Sequence, residues 1–137
     1  MSARVVCAGT FDHLHPGHLN FLEQASALGN ELIVIVARDE TVKRIKGIAP
    51  EDDENCRRMN VASTGIPARV VLGHLQNDLF SILDELLPEI VAIGYDQRVS
   101  EEEIKARFPS CSVVRLKPFH PERFKSSFYR SGKRTDP

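Results

Sequence analysis

The sequence predicts an α/β fold: a single domain built on an open parallel sheet with helices on both faces. Three observations predict it. Five short, β-branched apolar runs recur along the chain, segments with helical spacing alternate with them, and a turn or polar segment follows each run.

The first run, ARVVCAG (3–9), is apolar without alternation and reads as a strand buried on both faces. A helix follows from about Gly17, with Leu19, Leu22, Ala25, Ala27 and Leu28 at helical spacing. ELIVIVA (31–37) is the second strand and ARVVLG (68–73) the third. Leu79, Ile82, Leu83, Leu86 and Leu87 mark the next helix, before the strand EIVAIG (89–94). Ile104 and Phe108 mark one more, before the strand CSVVRL (111–116). In open sheets of this kind the ligand lies beyond the carboxyl ends of the strands, where strand order reverses. The residues to inspect are therefore GTFDHLHPGH, RDETVKRIKG, GHLQND and GYDQR, each directly after a strand.

The chain has 137 residues, 42% hydrophobic and 27% charged, with a net charge of -1. That is one domain, 1–137, of ordinary globular composition, with no general affinity for nucleic acid or membrane. The sequence enters its first strand with no charged leader and no apolar stretch of bilayer length, so a cytoplasmic protein is expected. Cys7, Cys56 and Cys111 are odd in number and far apart, which fits neither a disulfide framework nor zinc spacing; reduced, partly buried thiols are expected. The last stretch, KPFHPERFKSSFYRSGKRTDP, is basic and broken by prolines: either a frayed tail or a segment folded over the site.

His13, His15 and His18 crowd the start of the first helix. Zinc would need further ligands from a second cluster, and His74 and His120 stand apart. Anion binding explains more. Pro16 suits a first helical turn, Gly17 lets a ligand approach the backbone, and the helix start offers N–H groups and a positive dipole end. His15 and His18 are read as donors to phosphate oxygens, and His13 as a capping or packing residue. Neither G-x-x-x-x-G-K-[ST] nor G-x-G-x-x-G follows the first strand, so the phosphate site is of another kind.

Gly9-Thr10-Phe11-Asp12 followed by His15-Pro16-Gly17-His18 resembles the G-x-F-D-x-x-H-x-G-H signature of the HxGH nucleotidyltransferase superfamily. ENCRRM, with Arg57, is similar to its mid-chain Glu-x-x-Arg region; AIGYDQ is similar to its fourth-strand motif, and FKSSFYR to its closing I-S-S-T-x-I-R motif. In the last, Lys125, Ser127 and Tyr129 depart from the usual residues. The resemblance spans Val5 to Arg130 and implies a Rossmann-like domain. GNELIVIVARDETVKRIKG together with AIGYDQ most resembles the archaeal-type FAD synthetases. Glycerol-3-phosphate cytidylyltransferases, whose fourth motif more often reads Gly-Asp-Asp-Trp, are the alternative.

The resemblance implies attack of an acceptor phosphate on the α-phosphorus of ATP, with FMN as acceptor and FAD and pyrophosphate as products. His15, His18 and Lys46 are the expected catalytic residues. Nucleotide contacts are expected from Gly9, Thr10, Phe11, His15, Gly17, His18, Arg57, Gly94, Asp96, Ser126, Ser127 and Arg130. Acceptor contacts are expected from Asp12, Asp39 and Lys46, and residues 118–137 would close over the phosphates. Mg2+ is expected to arrive with the triphosphate, held by no dedicated protein cage, and a homodimer is implied. A non-catalytic nucleotide-binding module and a zinc hydrolase are the readings from other classes.

Overall fold

The computed structural model of the chain describes residues 3–74, 79–95, 97 and 99–118. Five strands form one parallel sheet in the order β3-β2-β1-β4-β5, with β1 Arg4–Gly9, β2 Glu31–Val36, β3 Arg69–Leu72, β4 Ile90–Ile93 and β5 Ser112–Arg115. Each strand lies within one of the five apolar runs. The chain winds outward from β1 to β3, returns to place β4 on the other side of β1, and ends on β5. Strand order therefore reverses between β1 and β4.

Alternation along the strands sends side chains to two faces, and both are covered. On one face Val5, Cys7, Leu32, Val34 and Val36 pack with Leu22 and Ala25 of α1 (Pro16–Ser26) and Val61 of α3 (Glu54–Ser63). On the other, Val6, Ile33, Ile35, Val91 and Ile93 pack with Ile82, Leu83 and Leu86 of α4 (Leu79–Leu86) and Ile104 of α5 (Glu101–Arg107). Arg4 ties the amino end of the sheet, reaching Glu31 at 2.9 Å and the Leu86 carbonyl at 2.6 Å.

The connection from β2 to β3 holds two helices, α2 (Asp39–Lys46) and α3, that apolar spacing did not reveal. α2 buries only Thr41 and Val42, and stops at Gly47, whose φ of 85° is a left-handed cap that glycine adopts without strain. α3 starts where Asp53 accepts the N–H of Cys56 at 2.8 Å. Cys7 and Cys111 are buried and Cys56 is exposed, all three as free thiols. Burial pushes the Cys7 thiol up to about 12, so it stays protonated.

Candidate active site

Where the chain turns from β1 into α1, Phe11 and His13 both take left-handed backbone, at φ 57° and 56°. L-residues adopt that region at a cost. His15 then caps α1 in extended conformation. Its Nδ1 accepts the N–H of Gly17 at 3.0 Å, while Nδ1 of His18 accepts the N–H of His15 at 3.3 Å. The two rings make a reciprocal capping box, with Pro16 at the first helical position, where no N–H is needed. An Nδ1 that accepts carries no proton. In each neutral ring the hydrogen sits on Nε2, which becomes a donor.

The rings are held by other rings. His15 and His18 stack with centroids 3.9 Å apart, Phe11 meets His18 edge-on at 5.6 Å, and Phe21 lies 5.9 Å behind Phe11. Burial pushes His15 below its ordinary value, with His13 adding to the effect. Burial first, then His15, Lys46 and His13 against the opposing charge of Asp12, takes His18 to about 3. Both imidazoles are therefore neutral at physiological pH and meet an anion as hydrogen-bond donors at a helix N-terminus. Lys46, the exposed last residue of α2, acts on the titration of His18 and brings a full positive charge to that side.

The expectation that Arg57 faces the phosphates needs correcting. The side chain is 0% exposed and turned inward. Its Nε donates to the Asp52 carbonyl at 2.8 Å, Nη1 to the carbonyls of Thr10 at 2.9 Å and Ala37 at 2.8 Å, and Nη2 to Asp39 Oδ1 at 2.6 Å. A guanidinium so committed holds the segments around the site in place. Asp39 is accordingly its ion partner. Asp12 is committed too, accepting the N–H groups of Glu51 at 2.9 Å and Asp52 at 3.0 Å. Burial raises its pKa, but those two donors, with His13 and Arg57, outweigh burial and leave it below the ordinary carboxylate value. Its carboxylate shapes the loop before α3. His13 Nε2 lies 2.7 Å from Glu51 Oε1 without hydrogen-bond alignment, which is packing of the kind expected for it.

Phe11 is buried in the core, so its ring supports His18. Gly9 is small because that ring folds back on it; a Cβ there would meet Phe11 at 2.9 Å. Thr10 lends its carbonyl to Arg57. Gly94 ends β4 with its N–H donated to Gln97 Oε1 at 2.8 Å and its carbonyl accepting from Arg115 at 2.8 Å. Gln97 Nε2 in turn donates to the Ala8 carbonyl at 2.8 Å, stitching β4 to β1 at the reversal point. Gln97 and Arg115 were not singled out from sequence, although Gln97 stands within the GYDQ motif. Asp96, Ser126, Ser127 and Arg130 lie outside the described residues. Among the described residues no three His, Cys, Asp or Glu side chains group to hold a metal ion, and no helix is long and apolar enough to cross a membrane.

A family model described as cytidylyltransferase-like matches residues 6–131. The chain is 44% identical over 120 residues to a FAD synthase of Aciduliprofundum boonei, covering 85% of this chain and 79% of that one. It is 46% identical over 120 residues to a FAD synthase of Archaeoglobus profundus, covering 83% and 74%. Among solved structures it is similar to one described as the lipopolysaccharide core biosynthesis protein of Thermoplasma volcanium, with a TM-score of 0.81 and 35% identity over 87% of this chain and 99% of that one.

The geometry yields two expectations. Arg57→Ala removes four donated bonds and leaves the carbonyls of Thr10, Ala37 and Asp52 without that donor, which costs on the order of 1–3 kcal/mol for each one left unsatisfied, read as a lower urea midpoint. Unchanged stability with a weakened triphosphate interaction would return Arg57 to the phosphates. The second concerns pH. His18 is neutral in the folded chain but takes a proton in the unfolded chain below 6.5, so the unfolded state binds more protons and stability falls as pH falls from 6.5 toward 3. The thermal midpoint should decline before carboxylates such as Asp12, with an ordinary value of 3.8, begin to titrate. His18→Gln should flatten that decline, and an equal decline in the variant would assign it elsewhere.

Proposed function

The chain belongs to the cytidylyltransferase-like family, and from that premise we infer that it is an FMN adenylyltransferase, transferring AMP from ATP to FMN to give FAD and pyrophosphate. The observation that carries the chemistry is the pair of Nε2–H donors stacked at the start of α1, beside the reversal point of the sheet. The acceptor comes from the curated relatives, both FAD synthases. The same relatives leave CDP-glycerol formation and a non-catalytic module unfavoured.

A phosphate oxygen of FMN attacks the α-phosphorus of ATP, the bond from that phosphorus to the β-phosphate bridging oxygen breaks, and pyrophosphate departs with the electron pair. The attacking oxygen is already anionic and needs no general base. Catalysis is positioning and charge stabilisation. Neutral imidazole donors suit this: they bind the triphosphate without a proton to lose and strengthen as charge grows on the departing oxygen. Lys46 bridges donor and acceptor phosphates from the end of α2. A divalent cation accompanies the triphosphate, and we take it to be magnesium. It would arrive with the triphosphate and offset charge on the phosphates, with no dedicated cage among the described residues. We further take Ser126, Ser127 and Arg130 as phosphate contacts and Asp96 as a nucleotide contact, all outside the described residues. A homodimer in the cytoplasm completes the reading.

Chromatographic separation of FMN from FAD after incubation with ATP and magnesium should show FAD; CDP-glycerol from CTP and glycerol 3-phosphate with no FAD would sink the reading. In the same assay His15→Ala and His18→Ala lose the Nε2 donor, so turnover should fall on the order of 100-fold or more, far more than stability falls. Truncation after Phe124 should leave a folded domain with a raised KM for ATP, and an unchanged KM would remove the C-terminal segment from the phosphate site.

A further inference from the structure

Among the described residues two isoleucines of α2 and the turn after it stand exposed. Ile45 is 63% exposed and Ile48 is 68% exposed. Ile45 follows Thr41 and Val42 along one stripe of α2, at the helical spacing that shares a face, so an apolar stripe that begins buried ends in the open. Both ends of the segment are anchored to the site. Lys46 acts on the titration of His18, and the loop after Gly47 returns to Asp12 through the N–H groups of Glu51 and Asp52. Ile45 and Ile48 therefore stand on the wall that carries the acceptor's cation.

We propose that Ile45 and Ile48 form the apolar surface on which the isoalloxazine ring of the acceptor lies, and so select a flavin phosphate over smaller phosphorylated acceptors. The inference rests on the FMN reading above. FMN joins a flat, largely apolar ring to a phosphate dianion through a ribityl chain. The end of α2 offers the complement, two branched aliphatic side chains beside Lys46, with Lys43 and Arg44 in the same last turn. Glycerol 3-phosphate has a phosphate for Lys46 but no ring to cover the isoleucines.

The test is steady-state kinetics of FAD formation by the full chain and by Ile45→Ser/Ile48→Ser, with thermal melts and sedimentation of both. The double variant should keep its melting behaviour, its sedimentation and its KM for ATP, and raise the KM for FMN by about tenfold or more as the apolar cover is lost. Ile45→Leu/Ile48→Leu should restore most of it. An unchanged KM for FMN overturns the proposal, and so does an altered association state with FMN kinetics intact, which would make the surface a contact between copies. If the unaltered chain makes no FAD from ATP and FMN, the adenylyltransferase reading itself has failed and the proposal with it, a result visible before any variant is measured.

Discussion

The guanidinium of Arg57 ties together the end of the sheet where the chemistry takes place, because three carbonyls without strand partners converge on it and one carboxylate balances its charge. Thr10 follows β1, Ala37 follows β2 and Asp52 precedes α3; each carbonyl would otherwise be lost to solvent or left unpaired. Only a planar fork with several donors can meet carbonyls from three directions at once. Burying such a cation is costly without compensation, and Asp39 at 2.6 Å supplies it. The start of α2 is thereby fixed, and with it the path that brings Lys46 toward His18. The loop holding Asp12 is fixed from the same point.

A second constraint works within the first. The capping bonds of His15 and His18 serve the backbone and the chemistry together, since the nitrogen spent on the helix start decides which nitrogen keeps the hydrogen. The row of Phe21, Phe11, His18 and His15 fixes the orientation of that hydrogen. A site arranged in this way has its donors set before any triphosphate arrives, so little reorganisation is left for the reaction itself.

The sheet was legible because buried parallel strands need unbroken β-branched runs and little else in the chain has them. α1 and α4 were legible because their apolar faces are dense. α2 and α3 were not: α2 buries only Thr41 and Val42, and α3 only Arg57 and Val61, too few apolar residues to show a period. At the site, the phosphate-donor reading of His15 and His18 drew on a helix start that the sequence does signal. The protein contacts of Arg57, Asp12 and Asp39 were not legible, for one reason. A charged residue near a motif looks solvent-facing until the carbonyls and N–H groups that surround it are known, and these come from segments far apart in sequence. Gln97 was overlooked for the same reason, since the carbonyl of Ala8 that it holds belongs to a strand at the other end of the chain.

The central place of β1 has a consequence for the birth of the protein. Val5 finds one neighbour in Leu32 soon after both are made, but its other neighbour is Ile90, far later in the chain. Until β4 emerges from the ribosome, the nascent half-sheet shows an open edge of apolar strand, which is a template for pairing with the wrong chain. The histidine turn is made before β4, and the stitch from Gln97 to Ala8 can form only after it. Growing chains are thus exposed to mispairing until β4 arrives, and the crevice is complete only then.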